Sequence, residues 1–511
     1  MNRDGNATSL WQAVGADYQP TNQWDTGQIY DVLIIGGGIT GLTTALLLQE
    51  GGMSCLVAEA HNIGFGTTGG TTAHLNTMLD TPYNTIIQDF GVENARLVGA
   101  GARQAIEFVG ATCQRLGIDA GFAHRPGYLL ANGEQEEKEL ADILEGARQA
   151  HVAVTSSPAA PAPLPHTQAG IFENQAQIHP TTYIYGLAQA FEQAGGVILQ
   201  HCVAAARGKK EDYFETETSL GKIFARRVVY ATHIPPGINI LHFRCAPYRS
   251  YALACTLKNG YYPDALIYDM KNPYHYIRTQ EWNGQQYLVA GGCDNKTGHG
   301  DNQAYAFTEL EAFVREMYEV DEVAYRWSSQ YFESTDGLPY IGQNPGDDEQ
   351  VYCATGYSGN GITLGTLAGI VLSDILLGKE TPFEKLFYPG RVKPVAGFAA
   401  FVEENADVIS QFIGKRFAYE KIKELAALAP GEGKLAEWEG QKVALYKDET
   451  GKIYAVDPVC PHARCVVDWN NAEQSWDCPC HGSRFAPNGT LLTGPARKGL
   501  EPLMQEDFEG D

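Results

Sequence analysis

Basic residues are scarce in this chain. Its 511 residues include 37 lysines and arginines against 61 aspartates and glutamates, a formal net charge of −24. Such a surface repels nucleic acid and anionic membranes, so neither is expected as a partner. Long hydrophobic runs are also missing. The most apolar helical stretch, Ile362–Leu377, is broken by Thr363, Thr366, Ser373 and Asp374, and it is too short to span a bilayer. Residues Met1–Gln28 are polar and lack the apolar segment of a secretory signal, so a cytoplasmic protein is expected. Only one strand–glycine turn–helix unit is legible. Gly99-Ala100-Gly101 sits inside a helical pattern with no strand before it, which argues against a reductase fed by a pyridine nucleotide. Outside the C-terminal region no two histidines lie closer than His233 and His242. Neither has the local pattern of a mononuclear iron site of two histidines and a carboxylate, so an oxygenase is not expected.

The chain is too long for one core, and roughly two to four domains are expected. Of eleven cysteines, seven (Cys55, Cys113, Cys202, Cys245, Cys255, Cys293, Cys353) are scattered, several in expected strands. That is the pattern of buried thiols in a reducing compartment.

The other four cysteines belong to the most specific motif. Cys460-Pro461-His462 is followed, after fifteen residues, by Cys478-Pro479-Cys480-His481-Gly482-Ser483. Two cysteines and two histidines, split into C-x-H and C-x-x-H halves, can hold the two irons of a [2Fe–2S] cluster, with thiolates on one iron and imidazoles on the other. Zinc accepts the same ligand types, but a zinc finger pairs cysteine with cysteine and histidine with histidine, whereas each half here mixes them. The segment resembles the Rieske family over roughly the last ninety residues. The resemblance implies Cys460, His462, Cys478 and His481 as ligands, a disulfide between Cys465 and Cys480, and a covering loop at Gly494-Pro495-Ala496.

Near the other end, Asp31–Ile35 reads as a buried strand, and Gly36-Gly37-Gly38-Ile39-Thr40-Gly41 follows as G-x-G-x-x-G. Leu42–Gln49 is helical, and a second strand, Ser54–Ala58, ends at Glu59. This order suits a dinucleotide: a tight turn, backbone close to the pyrophosphate, a helix N-terminus facing the anion, and an acid for the ribose. Further segments are Gly66–His74, the strand Arg226–His233, Thr335–Gly342, and Val351–Gly365, whose helix can aim its positive end at a reduced flavin. Together these resemble the D-amino-acid oxidase-like family of FAD-dependent oxidoreductases over about residues 28–380. With the Rieske module they resemble a bacterial subgroup of that family. The resemblance implies FAD contacts at Gly36, Gly38, Ile39, Thr40, Gly41, Glu59 and Ala60. It extends them to Gly66, Thr67, Thr68, Thr71, Thr72, Ala73, His74 and Val203. It adds Ala231, Thr232, His233, Gly356, Gly359, Asn360, Gly361, Ile362 and Thr363.

The expected fold is an α/β FAD-binding (Rossmann-like) domain with an α+β substrate domain, plus a C-terminal all-β Rieske iron–sulfur domain. Residues 1–29 form an extension; 30–80, 171–240 and 335–394 the FAD domain; 81–170 and 241–334 the substrate domain; 395–420 a linker helix; and 421–511 the Rieske domain. Strands are expected at Tyr251–Leu257, Tyr274–Thr279 and Gln286–Ala290, and Glu134–His151 reads as an exposed helix. Tyr248, Tyr251, Tyr276, Arg278, Tyr331 and Phe332 are pocket candidates, with Tyr248, Tyr276, Arg278 and Tyr331 assigned to the substrate. Where family amino-acid oxidases carry a carboxylate-clamping arginine, this chain has Tyr331-Phe332-Glu333-Ser334-Thr335. That aromatic, acidic stretch fits an amine or cationic substrate better than a free amino acid, with Arg278 on another strand as an alternative clamp. The expected enzyme is an FAD-dependent amine or amino-acid dehydrogenase or oxidase. It would pass electrons from FAD to a [2Fe–2S] cluster and on to an acceptor protein or quinone; the alternative is an electron carrier or redox sensor without amine turnover.

Two departures from the Rieske pattern bear on the cluster. Arg464 replaces a glycine, and Phe485 stands where a tyrosine often donates to a ligand sulfur. Fewer hydrogen bonds to sulfur lower the potential. Voltammetry of the purified protein should therefore give a potential below the upper end of the Rieske range, roughly +300 mV; a value at that end would refute the assignment.

Overall fold

The computed structural model describes residues 5–13, 15–299, 302–391, 420–421, 428–438 and 440–503. The linker-helix expectation at 395–420 lies almost entirely outside them.

The FAD-binding sheet runs in the order 340–343, 351–355, 221–230, 29–35, 55–58, 197–199. Its four central pairings are parallel, and 340–343 joins antiparallel. Strand Ile29–Ile35 is buried along nearly its whole length, as a parallel strand covered on both faces must be. The helix Ile39–Glu50 leaves this strand through the glycine turn and packs on the helix Gly361–Leu376. The two approach closely because Gly365 and Gly369 lie one turn apart at the crossing: a Cβ at Gly369 would sit 2.6 Å from that of Thr43.

A nine-stranded sheet forms the second domain, in the order 320–334, 245–257, 285–296, 276–282, 266–269, 123–131, 168–177, 74–75, with 154–157 pairing beside 168–177. The expected strands within 245–257, 276–282 and 285–296 are present, as is the helix Glu134–Gln149. Strand 168–177 pairs with 123–131, so residues 171–177 belong to this sheet and not, as expected, to the FAD domain. The N-terminal segment is likewise more than an extension. Leu10 and Trp11 are fully buried, and the Trp11 indole donates to the Thr71 carbonyl.

The C-terminal domain consists of two four-stranded sheets, 420–421/433–438/441–447/453–456 and 468–470/475–477/484–485/491–493. Inside it, the fully buried Arg484 donates to Asp477 at 3.0 Å and to Ser475 at 2.9 Å, and Asn470 satisfies the other Asp477 oxygen. The domain rests against the other two through buried polar contacts. The Glu473 carboxylate, 2% exposed, accepts from the Asn6 amide (2.7 Å), the Ser328 amide (3.0 Å) and the Ser328 hydroxyl. One acid thus ties the N-terminal segment, the substrate sheet and the C-terminal domain together.

Removing a buried charged acceptor strands its donors, at about 1.5–3 kcal/mol per charged hydrogen bond. Glu473→Ala should lower the denaturant midpoint at which the cluster chromophore is lost and speed proteolytic release of the C-terminal domain. Unchanged behaviour on both measures would show that this contact does not hold the domain.

Candidate active site and cluster-binding loops

A cavity of about 940 Å³ runs between the two large domains and reaches the C-terminal one. One end is the dinucleotide cradle. Gly36 has φ +113°, and a Cβ there would overlap the Ala231 carbonyl; a Cβ on Gly41 would overlap that of Gly36. Both positions must therefore be glycine, and Gly41 acts in helix–turn packing behind the cavity wall. The helix at Ile39 starts from Gly38; the Ile39 amide donates to the Thr68 hydroxyl at 3.1 Å, and Gly38, Ile39 and Thr40 line the cavity, so the positive end of the helix faces it. Glu59 accepts from the amides of Gly37 (2.7 Å) and His61 (2.9 Å). A carboxylate offers about four lone-pair sites, so two remain for ribose hydroxyls. The second helix start, Gly361, is uncapped, because Asn360 bonds Asp80 instead (2.9 Å).

These features fit FAD. Of the residues expected to contact it, Gly36, Gly38, Ile39, Thr40, Glu59, Ala60, Gly66, Thr67, Thr68, Thr71, Thr72, His74, Val203, Ala231, Thr232, His233, Gly359, Asn360, Gly361 and Ile362 line the cavity. Gly41, Ala73, Gly356 and Thr363 stand outside the lining. Thr363 accepts from the Asn76 amide, and Ala73, at φ 57°, turns its carbonyl to Arg278. His74 is kept neutral by burial and by the Arg278 charge.

The other end is aromatic and acidic. Tyr276 and Tyr331 line it as expected, joined by Tyr268, Tyr274, Asp80 and Asp294. Asp294 accepts from the Tyr331 hydroxyl at 2.8 Å and from Ser250, whose oxygen also lies 2.7 Å from the Tyr276 hydroxyl. Burial pushes the Asp294 carboxyl up to about 6. Asp80 accepts from the Gly359 amide at 2.6 Å, and desolvation raises its carboxyl too. Lys271 reaches this region but sets its ammonium over the Phe313 ring.

Two of the four substrate candidates are placed elsewhere. Arg278 is fully buried and donates to the carbonyls of Ala73 and Ile178 and to Gln280, with its guanidinium over Trp11. It does not line the cavity, so the carboxylate-clamp alternative is corrected. Tyr248 stacks behind Tyr331 at 5.9 Å. Asp294 was missed because nothing in its sequence marks it. The pairing of 245–257 with 285–296 slips between Arg249 and Tyr251, and Cys293 adopts φ 55° opposite the slip. That bulge turns Asp294 into the cavity.

The cluster loops meet where the motif predicts. Cys460 and Cys478 are buried and face each other, and Cys478 pulls the Cys460 thiol below its ordinary value, with the Ser483 hydroxyl assisting. His462 Nε2 bonds the Gly237 carbonyl at 3.1 Å. Its Nδ1, and both ring nitrogens of His481, are buried without a partner. Orphaned imidazole nitrogens beside two thiols are what an iron pair would satisfy. A disulfide joins Cys465 to Cys480. The sulfurs of Cys465, Cys478 and Cys480 also cluster closely, but two of them are consumed by that disulfide, so the set is not a metal site. Phe485 is buried with no hydroxyl to offer, and Ser483 holds the covering loop through the Ala496 amide (3.0 Å).

The cluster loops press on the FAD and substrate domains. The Gln330 side-chain amide donates to the Gly482 carbonyl at 2.9 Å, while the Gln330 carbonyl accepts from Thr67 in the cavity wall at 2.8 Å. The His242 ring contacts His462 at 4.6 Å and His481 at 5.5 Å.

Comparison with known proteins agrees with this architecture. The FAD dependent oxidoreductase family matches residues 31–375, and the Rieske [2Fe-2S] domain matches residues 418–504. The Rieske 2Fe-2S iron-sulfur protein YhfW of Bacillus subtilis is 32% identical over 94% of both chains. The gamma-glutamylputrescine oxidoreductase of Escherichia coli is 24% identical over 74% of this chain and 91% of its own. Among solved structures, glycine oxidase from Geobacillus kaustophilus superposes with a TM-score of 0.60 at 20% identity, covering 71% of this chain and 99% of its own. Among the described residues no helix is long and apolar enough to cross a membrane. The chain belongs to the FAD dependent oxidoreductase family, with an FAD-binding domain and a C-terminal domain that binds a Rieske [2Fe–2S] cluster.

Proposed function

We propose that the protein oxidises a C–N bond of a small cationic amine lacking a free carboxylate, and that the electrons leave through the cluster to an external acceptor. The observation that carries this reading is the acid–aromatic end of the cavity. Asp80 and Asp294 face it together with Tyr274, Tyr276 and Tyr331, while Arg278 is committed to backbone carbonyls. Aromatic faces and carboxylates attract a cation, and a substrate carboxylate would meet like charge.

Bound FAD supplies the hydride acceptor for such an oxidation, and the cluster takes electrons one at a time. The chain's own residues position and deprotonate the amine. Hydride leaves a carbon next to a neutral nitrogen, so the ammonium must first lose its proton. Asp294, held by Tyr331 and Ser250, is the carboxylate placed to receive it. The likeness to gamma-glutamylputrescine oxidoreductase supports oxidation of an amine; the absence of a carboxylate rests on the cavity alone. A strict oxidase has no need of a cluster, which favours a dehydrogenase.

The test is anaerobic titration with a panel of amines and amino acids, following flavin absorbance and then the cluster by EPR. A cationic amine should bleach the flavin and then raise the Rieske signal. Bleaching by simple amino acids alone would overturn the substrate class, and a signal raised only by dithionite would favour a carrier. With the carboxyl titrating near pH 6, flavin reduction should fall as pH drops through that value, because the protonated acid neither attracts nor deprotonates the ammonium. Asp294→Asn should lose that limb and bind the amine roughly 10–100-fold more weakly, the worth of a charged hydrogen bond. Unaltered affinity and pH profile would remove Asp294 from the mechanism.

A further inference from the structure

The C-terminal covering loop and the segment 236–243 together form the protein's edge over the two cluster histidines. The Gly237 carbonyl accepts from His462, the Gly237 amide donates to Pro495 at 3.1 Å, and Phe243 lies 5.9 Å from the His481 ring. This edge is unusually apolar on its outer side. Ile238 is 82% exposed, Ile240 47% and Phe243 44%. Six large hydrophobics are at least 44% exposed among the described residues, and three of them fall within positions 238–243. Concentrated exposed apolar side chains mark an interaction site more often than scattered ones.

The rim is basic in a chain of net charge −24. Arg497 lies against Gly237 and donates to the Pro236 carbonyl at 3.3 Å, and Arg464 is two residues from His462. Both are exposed, and neither has a carboxylate partner among the described residues. Asp347 and Asp348, just beyond the Asn344–Pro345 segment that Asn239 bonds, are paired with Arg207 and Lys209, and Glu501 is paired with Lys498.

We infer that this edge is the exit port for electrons, and that its occupant is a small acidic one-electron carrier protein. Charge decides the occupant: a local cationic rim on an anionic protein attracts an acidic patch and repels a basic one. Ligation by histidine raises the cluster potential, so the carrier must lie higher still, which excludes the low-potential ferredoxins. Each docking moves one electron from the cluster to the carrier, so two carriers are reduced per amine oxidised. The protons released by imine formation go to solvent. The inference rests on the reading that the cluster serves an external acceptor, but not on which amine supplies the electrons.

The experiment therefore bypasses the amine. Holoprotein is reduced with dithionite, desalted, and mixed with plastocyanin, an acidic blue-copper protein, or with a basic cytochrome c. Cluster reoxidation should be at least about tenfold faster with plastocyanin at low salt, and that advantage should vanish at high salt. Ile238→Asp and Arg497→Glu should each slow plastocyanin about tenfold while leaving the EPR signal intact, Ile238 being too exposed to affect folding. Calorimetry with redox-inert zinc-substituted plastocyanin should show salt-sensitive binding that both variants weaken in parallel. Preference for the basic protein would overturn the proposal. So would variants that change neither rate nor binding, or a water-soluble quinone that outpaces both proteins with no effect of the substitutions.

Discussion

The hydrogen bonds of Gln330 are the constraint on which the two redox centres depend. Its backbone carbonyl holds Thr67 in the wall of the FAD cavity, and its side-chain amide holds Gly482 in the cluster loop. Gln330 lies on the strand Val320–Ser334, which contributes Tyr331 to the substrate end of the cavity. One residue of a rigid element therefore touches both cofactor sites and sits beside the third. The fit leaves no slack. Gly482 has φ +75°, and a Cβ there would lie 2.7 Å from Pro247 and 2.9 Å from the Gln330 side chain. Tight packing of this kind fixes the separation of two sites built from segments more than a hundred residues apart.

Charge is distributed by task. The buried arginines serve the framework: Arg278 is consumed by carbonyls, Arg391 pairs with Asp336 at 2.7 Å, and Arg484 pairs with Asp477 at 3.0 Å. The substrate end of the cavity is left to carboxylates and phenols, with the Lys271 ammonium turned over Phe313. An isolated buried charge is costly, and neutralising it with fixed donors while leaving lone pairs accessible keeps it both tolerable and useful. Asp294 meets that description with its Tyr331 and Ser250 donors, and Asp80 with the Gly359 amide.

Both cofactor sites were legible in the sequence because each demands local chemistry. The pyrophosphate cradle needs glycines at Gly36 and Gly41, where any Cβ would strike a carbonyl, and the cluster needs its four ligands within two short loops. The substrate end is not local. Tyr276 and Arg278 stand two residues apart on one strand, but Arg278 falls under Trp11 and the Ala73 carbonyl. Trp11 belongs to a segment whose polar composition gave no hint of burial. Asp294 faces the cavity only because a bulge shifts the register, and register is set by partners that period-two reasoning does not see. Residues 171–177 were misassigned for the same reason: their partner strand, 123–131, lies some forty residues earlier.

The contact between His462 and Gly237 has a consequence for how electrons leave. A ring N–H given to a carbonyl of the same chain fixes the tautomer and turns the other nitrogen toward the metal. It also occupies the donor that a small carbonyl acceptor such as a quinone would otherwise meet at this ligand. His242 crowds the second approach by packing on both ligand rings. An acceptor that must hydrogen-bond a ligand histidine thus competes with the Gly237 bond at His462 and with the packing of His242 at His481. One that needs only proximity meets the outer face of 236–243, where an exposed phenyl ring stands one van der Waals layer from His481. On the proposed route from FAD to the cluster, that docking thereby also selects the kind of surface through which electrons depart.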